Sequence, residues 1–306
     1  MLKLNEKKIR KGKPIGLPYQ GSKKKISKKI VEIIKQNFGT EKPVYDVFGG
    51  GGAITAECLL NGLEVHYNDL DETATSMFQK VVSEDRDYLK TLIVSRDEFF
   101  KIREKENKTI DDELKLLVNS FGNNRKNYLY SEKLSDSKYN LAVEIIEKYD
   151  AFDGYRKTET YLEAKDIFKD QDCQKTQQDR MDRLQQLQGL QQLERLQQLG
   201  RLQQTEATNL DYTEFSGVEN AILYLDPPYQ NTELDGYSIK YFDNQSFYDW
   251  AYNMSKKNIV LMSSYEISDE RFECVYEFKN ARNTFSPKSC RGIESEKLFM
   301  VKKGGE

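Results

Sequence analysis

One histidine, one tryptophan and four cysteines in 306 residues narrow the chemistry open to this chain. With His66 alone, no histidine cluster can form, so a metal centre is not expected and no other imidazole can serve as a general base. Cys58, Cys173, Cys274 and Cys290 stand apart without Cys-x-x-Cys spacing, the pattern of reduced thiols in a cytosol. No apolar run approaches the roughly 20 residues of a membrane span, and no apolar stretch follows the basic N-terminus. Neither a membrane anchor nor a signal peptide is therefore expected. The glycine-rich loop discussed below lacks the full G-x-G-x-x-G spacing and the G-K-[ST] ending, so neither a dinucleotide nor a nucleoside triphosphate is indicated.

What is present is unevenly distributed. The net charge is −3, which argues weakly against a nucleic-acid partner. Residues 1–35, however, hold twelve Lys/Arg against Glu6 and Glu32, a local charge of +10. Such a block is either an electrostatic footprint for phosphates or, over residues 1–13, a solvated tail. The length predicts one large domain with an appendage.

Helical spacing marks 26–38, where Ile26, Ile30, Ile33 and Ile34 share a face. "PVYDVFGG" reads as a short strand closed by glycines, "AITAECLLNG" as a helix stopped by Gly62, and "LEVHYNDLD" as the next strand. Strand, glycine loop, helix, strand is a βαβ unit and predicts a parallel sheet with helices on both faces. Helices are expected over 73–93, 95–106, 110–120 and 138–150, interrupted by the loop "SFGNNRKNYLYSEK". "EATNLDYTEF", "AILYLDPPY", "IVLMSSYEI", "FECVYEF" and "SEKLFMVKK" read as strands, and "QSFYDWAYNMSK" as an amphipathic helix.

Residues 177–204 are of low complexity, with leucine every third residue at 184, 187, 190, 193, 196, 199 and 202. Steps of three slip by about 60° on an α-helix, so the leucines spiral around it instead of forming a stripe. A single helix would expose leucines on most sides, and Gly189 and Gly200 weaken it further. Stacked extended or tightly turned segments are the alternative. A solubilised spacer or an insertion is expected here in preference to a catalytic role.

Two constellations carry chemistry. In "DVFGGGGAI" four glycines lie between a strand and a helix, where backbone amides can approach a ligand at the positive end of a helix. About 20 residues on, Asp69 ends the next strand, the usual place of a ribose-binding acid, while Asp71 suits the following helix cap. In "AILYLDPPYQN" a strand ends in Asp226-Pro227-Pro228-Tyr229. The prolines fix φ and remove two donors, leaving a carboxylate and carbonyls as acceptors. That set suits an exocyclic amino group, and Tyr229 offers a stacking face to a flat ring. A plain turn needs neither.

At these residues the chain resembles the Dam-like DNA adenine-N6 methyltransferases, in the form carried by bacteriophages. Asp226-Pro227-Pro228-Tyr229 matches their catalytic tetrapeptide, and Phe48 with Gly50 and Gly52 fits their F-x-G-x-G cofactor loop. "LPYQGSKKK" is similar to their N-terminal motif, which implies Tyr19, Gly21 and Lys23 as cofactor-site residues. "NLDY" resembles the segment that holds the cofactor's adenine, implying Asp211 with Tyr212, and Asp46 and Asp69 complete the implied site. "MSSYE" and "EKLF" look like the family's later strands.

The resemblance implies a Rossmann-like methyltransferase sheet in an α/β fold, S-adenosyl-L-methionine as cofactor and methyl transfer to a flipped adenine. It further implies double-stranded DNA as partner, a monomer, no metal, no membrane, and the cytoplasm of a bacterial or phage-infected cell. The expected division is a catalytic domain of 1–72 and 205–306, a target-recognition region of 73–176 and the 177–204 repeat. Candidates for DNA contact are Lys24, Lys25, Asn123, Asn124, Arg125, Lys126 and Tyr237, since Arg and Asn suit bidentate readout of G and A. For Arg125 a surface salt bridge is the competing reading. Ser263, Ser264 and Tyr265 end a strand near the same pocket. Cytosine N4 as target, RNA as substrate, a restriction partner, and a non-catalytic DNA-binding protein on the same scaffold stay open at this stage.

Overall fold

The computed structural model describes residues 1–18, 22–150, 152, 159, 188–200, 202, 206–228, 242–278 and 295–302. The chain divides into two compact units, one of residues 1–16, 21–79 and 202–306, the other of 17–20 and 80–201.

The first unit is built on a seven-stranded sheet. Its strands are β1 (Val44–Asp46), β2 (Val65–Asn68), β3 (Ala207–Thr208), β4 (Ile222–Leu225), β5 (Ile259–Ser264), β6 (Phe272–Glu277) and β7 (Lys297–Val301), in the order β3-β2-β1-β4-β5-β7-β6. The neighbours from β3 to β5 pair in parallel, and β7 runs antiparallel to both β5 and β6. The expected parallel sheet is thus a mixed α/β sheet with one reversed strand. Every residue of β4 is buried, the pattern of a central strand covered on both faces. One side is packed by Ile30, Ile33 and Ile34 of helix Ser27–Phe38 with Ile54 and Cys58 of helix Ala53–Leu60. The other is packed by Phe247, Tyr248 and Ala251 of helix Asn244–Met254.

Two expectations change in this unit. "EATNLDYTEF" pairs only at Ala207–Thr208, because Asp211 then accepts from Thr213 N–H and starts a 3-10 turn, Tyr212–Gly217. Residues 1–13 are no loose tail. Leu2 N–H donates to Val275 O at 2.8 Å, and Arg10 grips both carboxylate oxygens of buried Glu57 at 2.9 Å. Among the described residues Cys58 and Cys274 are free thiols.

The second unit is helical. The stretch expected as one helix over 73–93 splits into Glu72–Ser83 and Arg86–Lys90, since Asp85 caps the second through Tyr88 N–H. Helices Arg96–Arg103 and Ile110–Val118 follow, the latter closed by a capping box between Thr109 and Asp112. Helix Glu132–Tyr149 starts six residues before the apolar period at 138 becomes visible.

The leucine repeat is the largest correction. Its described part, Gln188–Gly200, is one α-helix against Arg86–Lys90 and Ile110–Val118, and Leu190, Leu193, Leu196 and Leu199 are all buried. The spiral of leucines is accommodated because the unit covers the helix widely; of its described side chains only Gln191 is exposed. The glycines are contact points. A Cβ on Gly189 would stand 3.0 Å from Ile93 Cδ1, and one on Gly200 3.0 Å from Val81 O. A spacer would bury none of this. Residues 177–187, 201 and 203–204, apart from the helix, lie outside the described residues.

Candidate active site

The glycine loop leaves the sheet where β1 lies between β2 and β4. Val47 N–H donates to Tyr224 O at 3.2 Å, Gly49 N–H to Asn68 O at 2.7 Å, and Gly52 N–H to Gly49 O at 2.8 Å. Gly50 and Gly52 are left-handed, with φ of 48° and 68°. The loop lies on two stacked rings, Tyr67 and Phe78, 4.1 Å apart. A Cβ on Gly49 would meet the Tyr67 ring at 2.4 Å and one on Gly52 the Phe78 ring at 2.2 Å, so no side chain fits at either position. Tyr67 OH donates to Gly50 O at 2.8 Å.

Two carboxylates flank this loop. Asp69 accepts from Gly50 N–H at 2.7 Å and from Asp71 N–H at 2.8 Å. Asp71 in turn caps the following helix through Thr73 N–H, as expected. Asp46 Oδ2 accepts from Thr55 N–H and Oγ1–H at 3.1 and 2.7 Å, while its Oδ1 is buried with no hydrogen-bond partner among the described residues. Burial pushes Asp46 up to about 7 against the Thr55 bonds, and pushes Asp69 up to about 6 against the amide bonds. An orphaned acceptor and two strained acids around a cradle that tolerates no Cβ fit a ligand carrying positive charge and several N–H and O–H groups.

These raised values have a consequence for stability. Between about pH 4 and 7 these two carboxyls hold protons in the folded protein that they have lost in the unfolded chain, so their contribution to stability falls as pH rises through that window. Asp46→Asn removes one of these groups. In the ligand-free protein the variant should lose less melting temperature than the unaltered chain between pH 5 and pH 8, by a few degrees. Parallel thermal melts at the two pH values check this.

Beyond the last residue of β4, Asp226 is enclosed by a polar cluster. Lys23 Nζ stands 2.7 Å from Asp226 Oδ2 and 3.1 Å from Glu296 Oε1. Ser263 Oγ–H donates to Asp226 Oδ1 at 2.9 Å, and Tyr224 OH donates to Ser263 Oγ at 2.9 Å. Burial raises the Asp226 carboxyl while Lys23 pulls it back. For Lys23, burial is outweighed by Asp226 and Glu296, and its ammonium is held above the ordinary value. Pro227 and Pro228 are buried beside it.

Asp211 Oδ1 accepts from Thr213 N–H and Oγ1–H at 3.0 and 2.6 Å. Tyr212 lies among Phe48, Phe247 and Trp250, with ring centroids 6.3, 5.2 and 5.0 Å away. Sequence reading missed Asn68, which binds the two segments together. Its Nδ2 donates to Val47 O and Leu210 O at 3.0 and 2.9 Å, and its Oδ1 accepts from Leu210 N–H and Thr208 Oγ1–H, each at 2.9 Å. A buried amide at a strand tip, immediately before the expected ribose acid, was the available signal. Glu296 was also missed, having been read only as part of a strand.

In the second unit, the loop after helix Ile110–Val118 is tied into its own turns. Gly122, Asn123 and Arg125 are left-handed. Asn124 Oδ1 accepts from Lys126 and Asn127 N–H, and Asn123 Nδ2 donates to Leu117 O. Arg125 pairs with Glu113 at 2.9 Å, which is the salt bridge weighed against base readout. Lys126 is exposed, and Phe121 projects with 64% of its surface open. Lys24 and Lys25 share a 3-10 turn with Lys23 in the first unit. Tyr19, Gly21, Tyr229 and Tyr237 lie outside the described residues. No group of acids, cysteines and histidine among the described residues could hold a metal ion.

The family model described as D12 class N6 adenine-specific DNA methyltransferase matches residues 19–288. Among solved structures, the rRNA methyltransferase aviRa from Streptomyces viridochromogenes is similar at 12% identity, over 90% of this chain and 84% of that one, with a TM-score of 0.34. No curated protein matches the chain.

Proposed function

The chain belongs to the D12 class of N6 adenine-specific DNA methyltransferases, and from that premise we propose which of its residues do the work. The reaction is S-adenosyl-L-methionine-dependent methylation of adenine N6 in DNA. The observation that carries the assignment of roles is Asp226, held by Lys23 and Ser263 at the tip of β4 in the same unit as the glycine loop.

We assign the cofactor site to Asp46, Phe48, Gly50, Gly52 and Asp69, with Asp211 and Tyr212 toward the cofactor's adenine and Tyr19, Gly21 and Lys23 from the N-terminal motif. Asp69 suits the ribose hydroxyls, having one lone pair left on each oxygen after its amide bonds. S-adenosyl-L-methionine, when bound, supplies a methyl group on a positively charged sulfur.

The adenine amino nitrogen is a weak nucleophile because its lone pair is delocalised into the ring. Acceptors on both amino hydrogens, the Asp226 carboxylate and the Pro227 carbonyl, favour a pyramidal nitrogen with the lone pair free to attack. The same acceptors stabilise positive charge developing on that nitrogen. Positioning of amine and methyl in line supplies much of the rest. A base inside a duplex cannot reach such a pocket, so the adenine is flipped, with Tyr229 and Pro228 against the ring.

Flipping costs a few kcal/mol, which phosphate contacts offset. Lys24, Lys25 and Lys126 suit that role. Asn123, Asn124 and Arg125 read bases only if their present bonds within the loop and to Glu113 open, while exposed Phe121 offers an apolar face to a base step as it stands. The second unit, residues 80–201 with the repeat helix inside it, is the region for target recognition, and the protein acts as a monomer on double-stranded DNA. No described helix is long and apolar enough to cross a membrane.

The test is transfer of labelled methyl from S-adenosyl-L-methionine to unmethylated duplex DNA, followed by nucleoside analysis. Label in N6-methyladenine is expected. Label confined to N4-methylcytosine, or to RNA offered in competition, would refute the assignment.

A further inference from the structure

Glu296 has no place in the roles assigned so far, yet it sits at the reacting end of the sheet. It immediately precedes β7, the reversed strand between β5 and β6. Its carboxylate reaches Lys23 at 3.1 Å while the same ammonium bonds Asp226 at 2.7 Å, and all three side chains are largely buried. One lysine is thus shared by two carboxylates, and Asp226 does not hold it alone.

We propose that Glu296 is a positioning residue of the methyl transfer: it shares Lys23 with Asp226 and so keeps that ammonium from neutralising Asp226 fully. The inference rests on the adenine-N6 reading and adds a group to that site. During transfer the amino lone pair forms the new N–C bond and the C–S bond breaks, its electron pair staying on sulfur. A unit of positive charge thereby passes from sulfur to the amino nitrogen. One N–H proton then moves to Asp226 and on to water as the product leaves. A carboxylate that Lys23 neutralises only in part favours that displacement of charge more than a closed Lys23–Asp226 pair does. Glu296 has a second effect. When Asp226 Oδ2 turns to an amino hydrogen, the buried Lys23 ammonium still has a carboxylate partner.

Asp226 is faced by Lys23 from the N-terminal 3-10 turn, by Ser263 of β5 and, through Ser263, by Tyr224 of β4. Glu296 acts on it from ahead of β7, and Asp46 and Asp69 act on it from β1 and from the end of β2. Glu296 raises the proton affinity of Asp226, and its removal lowers it.

Glu296→Gln and Glu296→Asp decide the matter, with three measurements on each. Single-turnover methyl transfer should fall about 10- to 100-fold in Glu296→Gln and recover in part in Glu296→Asp. Affinity for S-adenosyl-L-methionine, by calorimetry, should stay within about threefold. The Asp226 carboxyl, followed by carbon-13 NMR in the ligand-free protein, should titrate at lower pH in Glu296→Gln. Transfer within twofold of the unaltered protein, or an unmoved titration, overturns the proposal. So does a joint loss of rate, affinity and melting temperature with the titration unmoved, which would make Glu296 a structural partner of Lys23 only. If the unaltered protein methylates no adenine, the reading beneath the proposal has failed, and a shifted titration in the variant would show that the fault lies there.

Discussion

Asp226→Ala should retain S-adenosyl-L-methionine binding and lose at least about 10³-fold in methyl transfer. The substitution removes the carboxylate that accepts from the amine and leaves Lys23 to Glu296. Of the described residues assigned to the cofactor, Lys23 is the one that bonds Asp226. Asp46 is held by Thr55, Asp69 by the amides of Gly50 and Asp71, and Asp211 by Thr213, none of which touches Asp226 directly. Cofactor affinity should therefore stay within a few-fold. Asp226→Asn keeps the shape and is still expected to fail, because an amide has one acceptor oxygen where Asp226 uses two, one toward Lys23 and one toward Ser263. Calorimetry with the cofactor and single-turnover transfer of labelled methyl separate binding from chemistry. Activity within tenfold of the unaltered enzyme would end the assignment of Asp226 as the amine acceptor.

Leu196→Asp should unfold the second unit. Leu196 is wholly buried, in a helix whose leucines at 190, 193 and 199 are buried with it. Shortening such a side chain to alanine costs about 2–5 kcal/mol, and placing an unpaired carboxylate there adds the penalty of a buried charge. That total approaches the whole stability of an ordinary domain. The substitution Gln191→Asp, at an exposed position of the same helix, should change stability by less than about 0.5 kcal/mol. Calorimetric melting of both variants tests the contrast, and a Leu196→Asp protein that melts like the unaltered one would restore the spacer reading of the repeat. Cofactor binding, which apart from Tyr19 draws on residues of the other unit, should survive the leucine variant in large part.

The parts of the fold that were legible in the sequence are those where local signals agree. Helix Ser27–Phe38, the strand–glycine–helix passage from Val44 to Leu60, and β4 with its aspartate each combine a period with a stop signal. The candidate site was legible where short runs of unusual composition carry it, at the four glycines and at Asp226-Pro227-Pro228. What escaped depends on partners distant in the chain. β3 is only two residues long and exists because β2 is there to pair with it. The reversal of β7 has no local signature. Asn68 and Glu296 are common polar residues made significant by Leu210 and Lys23. The leucine repeat misled because a three-residue period predicts exposure only for a helix covered on one side. This one is embedded, and at Gly189 and Gly200 the lack of a side chain lets neighbouring groups come close, so what reads as helix weakness is where the fit is made.

The topology also sets a timetable for biosynthesis. β1 pairs with β2 on one edge, but its other edge pairs with β4, where Val44 meets Ile222 across the whole inserted unit. At ordinary translation rates of about 5–20 residues per second, the ribosome needs roughly ten to thirty seconds to make the intervening chain. For that interval the nascent protein carries an unpaired apolar strand edge at what will become the middle of its sheet. Residues 80–201 are complete before β4 emerges, so their folding need not wait for the sheet to close.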